Sequence, residues 1–212
     1  NRGADGMLDE ADTNNIDIPS FGIAHFGSAT GFLPGPLQTT YKNILLKAKE
    51  NNLFISFDPN YRHLLFQNNS AYFISQCDPF IESCDFFKLS DEEALLITGC
   101  DTVASAAAAL RKKTKAVFTI TLGKEGTLIS IGDHIEIIKS IPIQAVDATG
   151  AGDAFVGAVL YQLNKRIVKD INLVSMEDWK TIITNANKAG ARTCEYMGAM
   201  EAFKHLNNSI FD

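Results

Sequence analysis

Apolar and polar positions along the chain switch repeatedly between two periods, and the order of the switches predicts an α/β protein. Residues 21–28 read as a short strand ending at Gly27-Ser28, and beyond Pro36 the apolar positions Ile44, Leu45 and Ala48 fall at helical spacing. Leu53-Phe54-Ile55-Ser56-Phe57 is a second strand, stopped by Asp58-Pro59-Asn60. A helix over 69–82 leads to a strand at 85–89, and one or two helices span 91–113 with a break near Gly99. Ala116 to Thr121 has the β-branched content of a buried strand. Residues 127–145 carry a hairpin signal around Gly132-Asp133. Helices over 151–165 and 175–197 complete the chain, the second entered by Ser175 as a capping residue. Strands alternating with helices at this spacing predict a doubly wound α/β fold, a mainly parallel sheet with helices on both faces, with residues 1–212 forming one domain. Ligands of such sheets bind at the carboxyl ends of the strands, which directs attention to residues 27–28, 58–60, 90–93 and 123–126.

Composition narrows the classes. The chain of 212 residues can bury a large core, and its net charge of −6, with no basic cluster beyond Arg111-Lys112-Lys113, argues against a nucleic-acid binder. No run of about 18 apolar residues occurs, so no membrane span is expected. The four cysteines, Cys77, Cys84, Cys100 and Cys194, lack paired spacing and suggest reduced thiols in a cytoplasmic protein. The four histidines are scattered, and no transition-metal site is expected. The chain begins at Asn1 with neither a methionine nor a signal-peptide core, as expected of a processed protein or a fragment.

The densest chemical signal is Val146-Asp147-Ala148-Thr149-Gly150-Ala151-Gly152-Asp153-Ala154-Phe155. Gly150, Ala151 and Gly152 leave backbone N–H groups unshielded at the start of an apolar helix, where the orphan donors and the helix dipole favour an anion. Asp153 stands at the edge of that site as a candidate base that activates a hydroxyl toward a phosphoryl group. A tight turn with a dipole-favoured first-turn aspartate fits the same residues. Three further segments carry two readings each. Thr121-Leu122-Gly123-Lys124-Glu125-Gly126 lets backbone approach a nucleotide, or is a strand-to-hairpin turn. Ser90-Asp91-Glu92-Glu93 is a capping box, and Glu93 could also hold magnesium through water. Asp58-Pro59-Asn60-Tyr61-Arg62 is a surface turn, or presents Arg62 as a planar fork to a transferred phosphate.

Read in order, the segments 57–62, 88–93, 121–126 and 147–155 closely resemble the ribokinase-like (pfkB-type) carbohydrate kinases, and Asn187-Lys188-Ala189-Gly190-Ala191 with Gly198-Ala199 looks like that family's nucleotide-side helix. The resemblance covers nearly the whole chain. It implies Asp153 as catalytic base and sugar contact, Gly150, Ala151 and Gly152 as an anion hole, and Ser90, Thr121, Gly123, Gly126 and Asn187 on the ATP side. It also implies Arg62 at the sugar, Glu93 at magnesium through water, and Asp147 and Thr149 at positions that bind potassium in some members. Glu93 matches the acidic end of an N-x-x-E motif whose first position is Ser90 here. The Ser-Asp-Glu-Glu and Phe-Asp-Pro-Asn-x-Arg forms are most similar to fructokinases. The implied activity is transfer of the ATP γ-phosphate, with Mg2+ and with K+ as a candidate activator, to a primary hydroxyl of fructose. Another sugar or sugar acid, such as ribose or 2-keto-3-deoxygluconate, is the alternative acceptor, and a nucleotide-binding fragment without catalysis is the alternative class. Arg2-Gly3-Ala4-Asp5 resembles a segment about a third of the way into such kinases, so the sugar-gripping amino-terminal part and the β lid, through which members often form homodimers, are expected to be missing.

Overall fold

The computed structural model describes residues 3–67, 69–166 and 174–211; Asn1 and Arg2 of the opening segment lie outside it. Six strands are hydrogen-bonded in the order β1 (Ile23–Gly27), β2 (Phe54–Asp58), β3 (Phe86–Ser90), β4 (Val117–Thr121), β5 (Thr127–Ile131) and β6 (His134–Ile138). The chain divides into two compact units, one running to Phe118 and the other from Thr119 onward.

In the first unit β1 pairs parallel with β2, Ile23 opposite Phe54 through Gly27 opposite Asp58, and β2 pairs parallel with β3. Parallel neighbours need crossovers. Helix α2 (Pro36–Glu50) joins β1 to β2, α3 (Ser70–Ser83) joins β2 to β3, and α4 (Asp91–Thr98) with α5 (Val103–Lys113) leads from β3 to β4. Every residue of β2 is buried, as expected of a strand covered on both faces. The break near Gly99 is a left-handed helix cap at φ +67°, and α5 restarts on a Thr102–Ser105 capping box. Pro79 lies inside α3 and removes one helical donor; the helix persists because Phe73, Cys77, Phe80 and Ile81 bury along one face. Phe80 is the hub of that face, with ring centroids 5.3 Å from Phe26, 5.0 Å from Phe32 and 5.2 Å from Phe57.

The second unit holds the β5–β6 hairpin, antiparallel from Thr127 opposite Ile138 to Ile131 opposite His134, and two packed helices, α6 (Ala151–Lys165) and α7 (Met176–Thr193). A Cβ at Gly190 would stand 3.0 Å from the Ala151 carbonyl, so the small residue sets how closely α7 lies on the start of α6. Buried Gln162 and Asn185 satisfy each other at 3.0 Å between the same helices. Helix α7 stops at Thr193, four residues before the expected end, because the chain turns at Cys194 toward the loop before α6. The sequence pattern also missed a short capped turn of helix, α1 (Glu10–Thr13), and several 3-10 turns, which are too short to carry a period. Among the described residues no single helix is long and apolar enough to cross a membrane.

The aromatic hub gives a direct stability test. Phe80→Ala should cost about 3–5 kcal/mol by urea unfolding, because it removes a 1% exposed ring from contact with at least three others; a loss under about 1 kcal/mol would show that the cluster closes without it.

Candidate active site

The first group of candidates sits at the carboxyl ends of β2 and β3. Asp58 and Lys88 follow in register from the Phe57–Phe87 pair, and their side chains meet at 3.3 Å with almost no exposure. A lysine inside Phe86-Phe87-Lys88-Leu89 is the sequence signal for such a buried partner, since an unpaired ammonium in a core strand would be very costly. Ser90 caps α4 by accepting the Glu93 N–H at 3.1 Å, and Glu93 answers by accepting the Ser90 N–H at 2.8 Å. Its other carboxylate oxygen accepts the Tyr61 N–H at 2.7 Å. The capping box is therefore real, and it also reaches the turn that bears Arg62. Exposed Arg62 donates to the Tyr61 carbonyl at 3.1 Å.

The second group lies in the second unit, in two clusters. Thr121 ends β4, and a 3-10 turn at Gly123–Glu125 follows it. The two glycines of this turn differ. Gly126, at φ +108°, is pressed against the Ile138 carbonyl and Lys139, where any side chain would collide with backbone; Gly123 faces open space. Buried Asn187 serves the same corner: it accepts from Thr127 Oγ1 at 2.6 Å and donates to the Ile138 carbonyl at 3.0 Å. Its amide thus fastens both ends of the hairpin, a structural duty that spacing along a helix does not reveal.

The other cluster is the glycine turn. Gly150 occupies the N-cap of α6 in the left-handed region at φ +82°, and a Cβ there would come within 2.8–2.9 Å of Ala199. The Ala151 N–H donates to the Ala148 carbonyl at 3.2 Å, so of the three expected amides this one closes the turn. Asp153 is the third helical residue, exposed, and borders an open groove of about 260 Å³ with Gly157, Tyr161 and Phe203. Asp147 holds this turn in place. One carboxylate oxygen accepts the Thr149 N–H and hydroxyl at 2.9 and 2.7 Å, and the other accepts the Gly198 N–H at 2.7 Å. The Cys194 carbonyl accepts the N–H groups of both Val146 and Asp147. Those donors keep the Asp147 carboxyl below its ordinary range, with the Thr149 hydroxyl the largest cause. Sequence inspection found Asp147 and Thr149 but not the Gly198 contact, which joins residues 51 positions apart.

No group of three or more His, Cys, Asp or Glu residues that could hold a metal ion occurs among the described residues. A second cavity in this unit, about 390 Å³, is lined by Ile141, Lys188, Arg192, His205 and Leu206; of these, Lys188 falls in the 187–191 segment that the sequence marks.

Fold and site together define an α/β protein with acidic and glycine-bearing turns at its strand ends and a helix, α6, that opens on a left-handed glycine. The chain belongs to the pfkB family of carbohydrate kinases, which it matches over residues 1–206. It is 34% identical over 199 residues to Fructokinase-1 of Zea mays, covering 92% of this chain and 59% of that protein. A fructokinase from Vibrio cholerae O395, solved with fructose, ADP and calcium, is similar with a TM-score of 0.76 and 26% identity over 89% of this chain and 59% of that one. An aminoimidazole riboside kinase from Salmonella enterica, solved with its riboside and an ATP analogue, gives a TM-score of 0.74 and 25% identity over 85% and 58%. The chain thus spans about three fifths of the length of these relatives.

Two consequences of the turn are measurable. Gly150→Ala should lower stability by about 1–3 kcal/mol, since it forces a side chain into the left-handed region and against Ala199; unchanged urea unfolding would show that the turn moves freely. Asp147 binds its proton more weakly folded than unfolded, so its stabilising effect is complete above the ordinary carboxylate value of about 3.9 and is lost as pH falls through the depressed native value. The stability gap between wild type and Asp147→Asn should accordingly be flat above about pH 5 and shrink below about pH 4; a gap that persists undiminished to pH 2 would contradict the hydrogen-bonded carboxylate.

Proposed function

We propose that the chain carries the catalytic turn and nucleotide side of an ATP-dependent sugar kinase that phosphorylates a primary hydroxyl, with fructose as acceptor. The observation that carries this reading is the start of α6, where Gly150 in left-handed geometry opens a 15-residue helix and Asp153 stands exposed in its first turn. The orphan amides of a helix start stabilise charge on the transferring phosphoryl group, with Gly152 the best placed of the glycine turn after Ala151 is engaged. Asp153 takes the proton of the sugar hydroxyl; that oxygen bonds to the γ-phosphorus, the bond from γ-phosphorus to the bridging oxygen breaks, and ADP leaves. Thr121 and open-faced Gly123 suit the nucleotide phosphates, Gly126 and Asn187 hold the corner beneath them, and Ser90 keeps α4 capped at the other candidate cluster. The cavity beside Lys188 and Arg192 offers an apolar wall and two cationic side chains in the size range of small-molecule and cofactor pockets.

Magnesium fits as an ion that arrives with phosphate oxygens and keeps its waters, since a carboxylate offers about four lone-pair sites and the Ser90 and Tyr61 N–H groups that donate to Glu93 leave some of them for metal-bound water. Bound there, it would neutralise charge on the phosphates. Thr149 and Gly198 donate three hydrogen bonds to the Asp147 carboxylate, which leaves fewer lone-pair sites there for a monovalent cation than Glu93 keeps for metal-bound water. The four free thiols support a reducing, cytoplasmic setting. Similarity to an aminoimidazole riboside kinase keeps other sugars in the acceptor panel, with ribose and 2-keto-3-deoxygluconate beside fructose.

The test is a coupled ADP-release assay with ATP, magnesium and that panel, alongside calorimetry with ATP and magnesium. Asp153→Asn should lower turnover by several orders of magnitude and change ATP affinity by less than about threefold. Near-normal turnover in the variant would sink the base assignment, and ATP binding with no turnover for any acceptor would favour nucleotide binding alone.

A further inference from the structure

Two lengths of chain lead from one cavity to the glycine turn. The cavity of about 390 Å³ has Ile141 on one side and the last two turns of α7 on the other. Both sides run to the same joint, where the Val146 N–H donates to the Cys194 carbonyl at 2.7 Å. The glycine turn begins at the next residue, Asp147, whose N–H donates to that carbonyl at 3.1 Å. Ile141 and Leu206 give the cavity an apolar wall, and the His205 ring lies flat against Tyr196, 4.7 Å between centroids.

The polar lining consists mostly of donors. Lys188 and Arg192 stand four residues apart on α7 and so share one face of it. Arg192 holds Glu195 through Nη1 alone, at 2.8 and 3.2 Å, so that pairing uses one of the three nitrogens of the guanidinium fork. No Asp or Glu occurs among the described residues that line the cavity, and Asn207 brings the only side-chain carbonyl among them. Purines differ at the edge that such a lining reads. Guanine and hypoxanthine present two acceptors, N7 and O6, to an arginine fork, whereas adenine sets its N6 amino group donor against donor.

We infer that Arg192 and Lys188 make this cavity the base site for a six-oxo purine, so that the chain takes ATP but takes GTP and ITP in preference. This deepens the sugar-kinase reading and rests on it for phosphates on the glycine turn, which place the base beside that turn. Arg192 determines the preference: the substitution Arg192→Gln supplies the carbonyl and amide that pair with N6 and N7 of adenine.

The experiment measures binding of ATP, GTP and ITP with magnesium by calorimetry, and hexose phosphate formed from D-fructose with each donor, in wild type, Arg192→Gln and Lys188→Met. Wild type should bind GTP and ITP about tenfold more tightly than ATP, and the two about equally, because they share N7 and O6. Arg192→Gln should reverse the order to favour ATP, and Lys188→Met should narrow the ratio to about threefold. ATP bound as tightly as GTP by wild type, ITP bound as weakly as ATP, or a ratio that Arg192→Gln leaves unmoved would each overturn the proposal. If Arg192→Gln fails to fold, Arg192→Lys replaces it, keeping the charge without the fork, and must bring the ratio below about threefold. Tighter binding of GTP and ITP with no turnover for any donor would uphold the base site and end the kinase reading for this chain. Turnover that prefers ATP would leave the kinase reading standing and overturn the base preference, and no binding of any of the three would end both.

Discussion

The second unit depends on one carboxylate. Asp147 accepts three hydrogen bonds, two from Thr149 within its own turn and one from Gly198 beyond the end of α7. Because the Cys194 carbonyl takes two more N–H groups from the same turn, the residues ahead of α6 are fastened to the residues that follow α7. Gly150 completes the closure, since only a residue without Cβ fits against Ala199 in left-handed geometry. The result is a helix start held on both sides, by Asp147 and the Cys194 carbonyl within the turn and by the close approach of Gly150 to Ala199.

The first unit meets a similar need by similar means. There buried acidic groups stand at the strand ends: Asp58 is paired with Lys88, and Glu93 accepts the Tyr61 amide. In both units a carboxylate satisfies backbone donors from two segments far apart in sequence. Such joints combine strong, charge-assisted bonds with directional demands that few other side chains meet. They also separate roles that sequence motifs merge. Gly126 and Asn187 stand within a nucleotide-like motif, yet both are engaged with the Ile138 carbonyl and hold a hairpin.

Much of the fold was legible because its elements carry their own signals. Strand β2 is a continuous apolar run stopped by Asp58-Pro59-Asn60, α4 has its capping box, and Gly99 marks its end. Family membership was legible too, from the order of the 57–62, 88–93, 121–126 and 147–155 segments. What escaped were contacts whose partners give no local sign of each other. Glu93 could be read as a cap from Ser90, three residues away, but Tyr61 lies in a different loop. Asp147 reads as a turn residue beside Thr149, whereas Gly198 donates through backbone and so leaves no side-chain signature at all. The end of α7 was misplaced for the same reason: what halts the helix at Thr193 is the demand of the turn before α6 on the Cys194 carbonyl.

Phosphate binding at the strapped turn that starts α6 is tested most directly by titrating the 15N-labelled chain with ATP and magnesium while following every backbone amide by NMR. The Gly150, Gly152 and Asp153 amides should shift along one saturation curve with Gly123, while amides of the aromatic core around Phe80 stay in place. Saturable ATP binding that leaves Gly150 to Asp153 unmoved would contradict it.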